Sequence, residues 1–282
     1  MQEGFKTMEF EIEIETTKEL EGSSIVETRG HRKGIIIRTA PGDLTGLMKR
    51  LENEGGKFGF PARDLLKRTK LVRLRAPEMV ADILANREGA RVGLVVSKGH
   101  DKSAYFGGKG RNPVLDSIVG REMIVGIEEE ISDHGEQVLK PHEEEIKEKL
   151  RHLLELGSGI IAISLNNATR NSANERYVRE IIESDYPSHY LGAVPILIAS
   201  DFSSEHDNFL RTTVCLLNAY LWFKVDESLR SYEGLLRRHG YNHGLLVTQA
   251  DAEEVPIPNV TPLKIYAIDP VGFVRSAYGE PG

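Results

Sequence analysis

The chain opens on a strict alternation in which Phe10, Ile12 and Ile14 are apolar and Glu11, Glu13 and Glu15 are acidic. A period of two puts successive side chains on opposite faces, so this segment predicts a strand with one dry and one wet face, at a sheet edge or in a meander. Two short apolar runs follow, at 24–27 and 34–39. Gly30-His31-Arg32-Lys33 separates them, which predicts a hairpin pair. The period then lengthens: Leu44, Leu47, Met48 and Leu51 fall at helical spacing, and Gly55-Gly56 predicts the stop. A further helix is predicted over 77–86, with Pro77 in the first turn, where its missing donor is harmless, and Gly89 just past the end. A strand over 91–97 comes next.

The glycine-rich stretch 99–113 predicts a loop, and strand character resumes over 123–131. Ile146, Leu150, Leu153 and Leu154 stripe an amphipathic helix, with Glu143 facing Lys147 and Glu145 facing Lys149 on its wet side. The apolar run 160–165 lies between Gly159 and Asn166 and predicts a strand buried on both faces; 195–199 predicts another. Between them, Ser172 and Glu175 read as a capping box opening a helix through Ile182. A helix is predicted over 206–223, and a second one, striped by Val225, Leu229, Tyr232 and Leu236, ends at Gly240. Strands are predicted at 245–249 and 264–268. This alternation with doubly buried strands predicts an α/β fold with largely parallel pairing in the second half, as one region or as two subdomains, about 1–160 and 161–282.

Composition narrows the function classes. Of 282 residues, 36 are Lys or Arg and 43 are Asp or Glu, giving a net charge of −7, which argues against a surface built to neutralise nucleic-acid phosphates. The apolar runs are far shorter than the roughly 18 to 20 residues of a membrane-spanning helix, and no export signal is read at the N-terminus. A single cysteine, Cys215, excludes an internal disulfide and suits a reducing cytoplasm. It reads as a small apolar helix residue.

Candidate chemistry is sparse. His239 and His243 have the interval of two ligands on a helix, but Gly240 and the turn at 242–244 interrupt it, which favours a surface role. Gly107-Gly108-Lys109-Gly110 lacks a phosphate loop's pattern, with Ser103 in the place of its first glycine and Gly110 in the place of its hydroxyl; a surface loop is the favoured reading. Asp201, Glu205 and Asp207 gather near a helix start, where carboxylates cap and offset the dipole; a Mg²⁺ site is the alternative. Side-chain chemistry alone defines no reaction.

Longer segments carry a resemblance. Residues 164–175, SLNNATRNSANE, resemble the strand-loop-helix passage S-x-R-N-P-x-H-E of the hydantoinase A and 5-oxoprolinase family. Arg170, Asn171 and Glu175 are kept, whereas Ser172 replaces the proline and Asn174 the histidine. Residues 199–220 resemble that family's S-S-E…E-R-x-x-T-x-V-x-N-A-Y segment and keep Arg211, Asn218 and Tyr220. Residues 89–95 with Lys98-Gly99, then 135–139 and 245–249, follow in the same order, so the resemblance covers about residues 10 to 275.

It implies an α/β fold of actin-like, ribonuclease H-like type, a mixed sheet with flanking helices, incomplete relative to full-length members. It also implies three nucleotide loops, and each departs here. The D-x-G-G-T-x-T-D loop aligns with Glu15-Thr16-Thr17-Lys18-Glu19-Leu20-Glu21-Gly22, the H-G-T-T loop with Arg75-Ala76-Pro77-Glu78, and the S-G-P-x-G-G loop with Ile268-Asp269-Pro270-Val271-Gly272-Phe273. Side chains at Thr17 and Lys18 fill phosphate volume, and Glu11, Glu13, Glu15, Glu19 and Glu21 repel an anion. Glu15, Thr17, Lys18, Arg75, Glu78 and Asp269 are thus degenerate phosphate-loop positions. Arg170, Asn171, Glu175, Arg211, Asn218 and Tyr220 are retained framework.

The resemblance, greatest to the small accessory (epsilon) subunits of acetophenone-type carboxylases, implies an accessory, non-catalytic subunit of a multisubunit ATP-dependent ketone carboxylase. That reading expects larger carboxylase subunits as partners, no catalytic, cofactor or metal residue in this chain, and ATP with Mg²⁺ (or Mn²⁺) serving the whole complex. The alternatives are a hydantoinase- or oxoprolinase-like ATP-dependent amidohydrolase subunit and an actin-like binding module.

Overall fold

A computed structural model describes residues 8–18, 22–27, 32–100, 118–185 and 194–278. In chain order it begins with strands β1 (Glu9–Thr16), β2 (Gly22–Glu27) and β3 (Arg32–Thr39), helices α1 (Leu44–Lys57) and α2 (Ala62–Arg68), strand β4 (Thr69–Arg75) and helix α3 (Pro77–Asn86). Next come β5 (Val92–Ser97), β6 (Ile124–Ile127), β7 (Glu130–Ile131), β8 (Gln137–Leu139), α4 (Glu143–Glu155), β9 (Ile160–Ser164), α5 (Ala173–Asp185) and β10 (Ile196–Ile198). The chain continues through α6 (Ala199–Phe202), α7 (Asn208–Arg238), β11 (Leu245–Thr248), β12 (Glu254–Pro256), α8 (Pro262–Tyr266) and α9 (Pro270–Tyr278). Two compact units result: residues 1–88 with 223–268, and residues 89–222 with 269–282. A boundary near residue 160 therefore falls inside the second unit, because the chain leaves the first unit and returns to it.

The first unit holds a six-stranded sheet in the order β12-β11-β4-β1-β3-β2. β1 is parallel to both β3 and β4, and β11 is parallel to β4, while β2 and β12 close the edges antiparallel. β1 is central with two parallel neighbours, and so neither the edge strand nor the meander strand expected, since alternation reports which face is wet and says nothing about which edges are paired. Phe10, Ile12, Ile14 and Thr16 are buried on the dry face; α2 packs against β1, and α1 against the neighbouring β3. Phe10 packs edge-on against Phe58 at 5.1 Å and Phe60 at 6.4 Å between ring centroids.

The wet face is a ladder of ion pairs. Glu9 meets Arg32 at 3.4 Å and Lys70 at 3.3 Å, and Glu11 meets Arg32 at 2.8 Å and Arg73 at 3.1 Å. Arg73 also meets Glu254 at 2.6 Å, and Arg38 meets Glu15 at 2.7 Å. The Arg32 guanidinium, with help from Arg73, holds the Glu11 carboxyl below its usual range despite some burial. Bases on neighbouring strands thus offset the acidity of β1 locally.

Gly55 and Gly56 lie inside the last turn of α1 instead of ending it. Gly55 accepts from the Phe58 and Phe60 N–H groups at 3.0 and 2.8 Å, and a Cβ there would sit 2.5 Å from the Phe60 carbonyl oxygen. Glycine is needed for close backbone approach. Two tyrosines tie the later chain to this unit: the Tyr232 hydroxyl accepts the Gly42 N–H at 3.0 Å, and the Tyr241 hydroxyl accepts the Val72 N–H at 3.0 Å.

The second unit holds a four-stranded, all-parallel sheet in the order β10-β9-β5-β6, the pairing expected of this half. Every residue of β5 and β9 is buried, as their continuous apolar runs require. Val95, Ile161 and Ile163 pack with Ile146, Leu150 and Leu153 of α4 and with Val178 and Ile182 of α5. Of the two ion pairs expected on α4, Glu143–Lys147 forms at 2.7 Å; Glu145 instead accepts the Glu128 N–H at 3.0 Å.

Three other expectations change. The run 123–131 breaks into β6 and β7, and β7 pairs antiparallel with β8. The segment 264–268 is not a strand, because Pro262 pre-sets the first turn of α8. The two helices expected between 206 and 240 are one, α7, of 31 residues. Lys224 joins the two apolar stripes with no proline or glycine between them, and Gly240 ends the helix region at φ 103°.

Candidate functional site

In parallel α/β sheets, ligands lodge outside the carboxyl ends of the strands. In the second unit those ends are Ser97, Ile127, Ser164 and Ile198, and the 164–175 and 199–220 segments start from two of them. Glu175 is fully buried; its carboxylate accepts the Leu165 N–H at 3.0 Å and the Ser200 N–H at 3.1 Å, bridging the ends of β9 and β10. It therefore does not close a capping box with Ser172. Asn171 supplies the cap, its Oδ1 accepting the Ala173 N–H at 3.0 Å while its Nδ2 donates to the Gly135 carbonyl at 2.9 Å.

Arg211 is fully buried on the other side of Leu165. Its Nη2 donates to the Leu165 carbonyl and to Asn208 Oδ1, both at 2.6 Å, and Nη1 donates to the Glu205 carbonyl at 3.3 Å. Nε is buried without a partner. A carboxylate grips the N–H of Leu165 and a guanidinium grips its carbonyl, so one backbone unit is held by opposite charges. Burial pushes the Glu175 carboxyl above its usual range, opposed by the Ser200 and Leu165 donors and by Arg211.

The remaining framework residues also bind backbone. Asn218 donates to the Val214 carbonyl at 2.9 Å. The Tyr220 ring covers Gly89, where a Cβ would lie 2.4 Å from three ring carbons, and the Tyr220 carbonyl accepts the Ala90 N–H at 2.8 Å. Arg170 donates its N–H to the Asn167 carbonyl at 2.9 Å, after Asn167 turns the chain at φ 54°.

Sequence reading did not pick out the partners around them. Ser97 Oγ accepts the Asn166 N–H at 2.9 Å and bonds Glu129, whose other oxygen accepts from Asn174 Nδ2 at 2.7 Å. Asn174, in the place of the family's histidine, thereby joins the ends of β5 and β9 to α5. The one available signal was a serine ending each of two apolar runs.

The acidic cluster disperses. Asp201 pairs with Arg176 at 3.4 Å and Arg179 at 3.3 Å, Glu205 meets Arg275 at 3.4 Å, and Asp207 Oδ1 caps α7 through the Leu210 N–H at 3.0 Å. Among the described residues, no three His, Cys, Asp or Glu side chains gather as a metal site. His239 Nδ1 lies 2.9 Å from the Leu235 carbonyl, and His243 meets Tyr241 edge-on at 5.7 Å. Cys215 is buried, and burial pushes its thiol well above the usual range. An open groove of about 680 Å³ runs along β6 and α4, lined by Lys98, Val125, Glu145, Lys149, Arg151 and His152. Its charges are mixed.

The second edge belongs to the first unit. From β1 the chain goes to β3 on one side and to β4 on the other, so the ends of these strands frame a topological switch point. Glu15 is held by Arg38, and Thr17 donates its N–H to the Thr39 carbonyl at 2.9 Å. Lys18 is ion-paired with Asp82 of α3, which raises its pKa; Glu78 adds to the effect. Arg75 is exposed at the end of β4. Glu78 Oε2 and Thr16 Oγ1 are buried without hydrogen-bond partners. Asp269, in the second unit, accepts the Val271 N–H at 3.1 Å and opens α9. Glu19, Leu20, Glu21 and Gly107-Gly108-Lys109-Gly110 lie outside the described residues.

Two α/β units with polar groups at the carboxyl ends of their strands define the class, and comparison with known structures places the fold. It is the α/β fold of actin-like, ribonuclease H-like type, seen in two solved structures. One, titled "Mechanism of ATP-Dependent Acetone Carboxylation, Acetone Carboxylase nucleotide-free structure", superposes with a TM-score of 0.65 at 20% identity, over 87% of this chain and 36% of that one. The other, the ATP-dependent caprolactamase from Pseudomonas jessenii, gives 0.64 at 17% identity, over 78% and 32%. Residues 79–186 match the family described as hydantoinase/oxoprolinase N-terminal region.

The acetophenone carboxylase gamma subunit of Aromatoleum aromaticum is 28% identical over 266 residues, 88% of this chain and 36% of the relative. This match is to a gamma subunit, where the sequence alone had suggested a small epsilon subunit. An uncharacterised protein of Methanocaldococcus jannaschii, MJ0964, is 21% identical over 193 residues, 66% of this chain and 27% of that protein. The chain thus spans about a third of the length of these relatives. No helix among the described residues is long and apolar enough to cross a membrane.

Proposed function

We propose that this chain is an accessory, non-catalytic subunit of a cytoplasmic, multisubunit ATP-dependent ketone carboxylase of the acetophenone type, which carboxylates an aromatic ketone to a 3-oxo acid. Its partners are the larger carboxylase subunits, and ATP with Mg²⁺ (or Mn²⁺) is held by the complex and not by this chain. The observation that carries the reading is a contrast between the two sheet edges. In the second unit, Glu175 and the Arg211 Nη groups brace the backbone of Leu165, while Arg211 Nε and Ser200 Oγ stay unpartnered. In the first unit, the edge offers an incoming anion few donors and an unpaired carboxylate oxygen. Similarity to a carboxylase gamma subunit over 88% of the chain supplies the class of complex.

The test is affinity purification of the tagged chain from its native cells. Co-purification of large carboxylase subunits, with ketone-dependent ATP turnover that falls when the chain is omitted, supports the proposal. Turnover of Mg-ATP by the isolated chain sinks it. The likeness to the caprolactamase favours a second reading, a subunit of an ATP-dependent amidohydrolase. In that case the purified complex would turn over ATP with a lactam or hydantoin and not with a ketone.

A further inference from the structure

We propose that the Lys18–Asp82 ion pair is a built-in strap: it ties α3 to the end of β1 and takes up, with the chain's own charges, the edge of the first unit where an anionic ligand would otherwise dock. The inference deepens the reading of a subunit that leaves nucleotide to its partners, and rests on it. A phosphate at a strand-end crevice needs free backbone N–H groups at close approach and a cation to complement its charge. The Thr17 N–H is already committed to the Thr39 carbonyl, and Pro77 has no N–H to give. Three consecutive side chains, Thr16, Thr17 and Lys18, stand where a glycine pair would let a phosphate come close.

The one cation that immediately follows β1 is Lys18, and it faces two carboxylates. Glu78 and Asp82 are four residues apart on α3, hence on one helical face, and both act on the lysine charge. Together the three groups sum to −1, and Glu78 Oε2 is buried with no donor of its own. A triphosphate brought here would meet a carboxylate where it requires a donor. ATP does not fit these residues; an internal carboxylate already fills the anion's role.

The strap predicts behaviour that a passive surface pair would not show. In hydrogen–deuterium exchange on the purified full chain, the amides at the end of β1 and in the first turns of α3 should exchange several-fold faster in Lys18→Met and in Asp82→Asn. The double variant carrying Lys18→Asp with Asp82→Lys should recover most of the protection. Because the pair is exposed, 0.5 M NaCl should loosen the same amides on the order of as much as either single variant. Millimolar Mg-ATP should leave exchange of the wild-type chain unchanged. Unaltered exchange in both single variants, or protection of α3 by Mg-ATP, would overturn the inference. Failure to co-purify with carboxylase subunits would instead count against the complex, while leaving the exchange result standing.

Discussion

The grip on Leu165 yields the sharpest test of how the second unit is held. Replacing Glu175 by Ala removes the acceptor of two buried backbone N–H groups, at Leu165 and Ser200. Each buried donor left unsatisfied costs about 1–3 kcal/mol. The change also removes a carboxylate whose charge acts through space on the buried Arg211, which adds to the loss. These contributions overlap, so an expected loss of about 3–5 kcal/mol is a large share of the roughly 5–15 kcal/mol that keeps a domain folded.

Glu175→Gln should cost less, about 1–3 kcal/mol, because the amide keeps one acceptor and turns a donor toward the other N–H. Urea titration followed by circular dichroism measures both. A loss below about 1 kcal/mol for Glu175→Ala would refute the argument that this carboxylate braces the ends of β9 and β10.

The same residue sets a pH dependence. Its carboxyl is raised in the folded chain, so the fold retains a proton that the unfolded chain has already released. Stability is therefore full below the ordinary glutamate range, falls as pH rises from there through the raised value, and then levels; Glu175→Gln should flatten this part of a stability–pH curve. Gly89→Ala should cost about 1–3 kcal/mol through overpacking against the Tyr220 ring, and Tyr220→Leu in the same chain should return part of it in a double-mutant cycle. Tyr241→Phe should cost about 1–3 kcal/mol in a thermal melt, since the Val72 N–H loses its acceptor inside the sheet. Cys215 should resist a soluble thiol reagent in the folded chain and react only as urea opens the second unit; prompt labelling would show that this helix is not packed as described.

What was legible in the sequence follows from which interactions are local. The strand β9 could be read from its continuous apolar run, the helix α3 from Pro77 and Gly89 at its ends, and the hairpin of β2 with β3 from two short apolar runs around a polar turn, because each of these signals lies within a few neighbouring residues. The place of β1 in the middle of a sheet could not, since its partners come from residues 32–39 and 69–75 and alternation looks the same at an edge. The single long helix α7 was masked by two apolar stripes on either side of Lys224. The fate of Glu175 was misread for a related reason. Three residues after a serine it has a capping box's spacing, and only the fold shows that it turns inward to two strand ends. The resemblance pointed to Arg211, Asn218 and Tyr220 and set Asn174 in the place of a histidine, yet the network that joins Asn174 to Ser97 and Glu129 draws on three separate segments, and no one of them shows the pairing.

The ion-pair ladder over β1 bears on how the sheet finds its order. Glu11 is shared by Arg32 of β3 and Arg73 of β4, one base from each flanking strand, while Glu9 and Glu15 take further bases from the same two neighbours. β2, whose sequence is GSSIVE, carries no base at all. Were β1 to settle beside β2 during folding, its row of carboxylates would face no opposite charge, and like charges along a strand repel. The glutamates that first marked β1 as a half-wet strand thus act as an address: they favour the two neighbours that answer them and penalise the nearest wrong one in the chain.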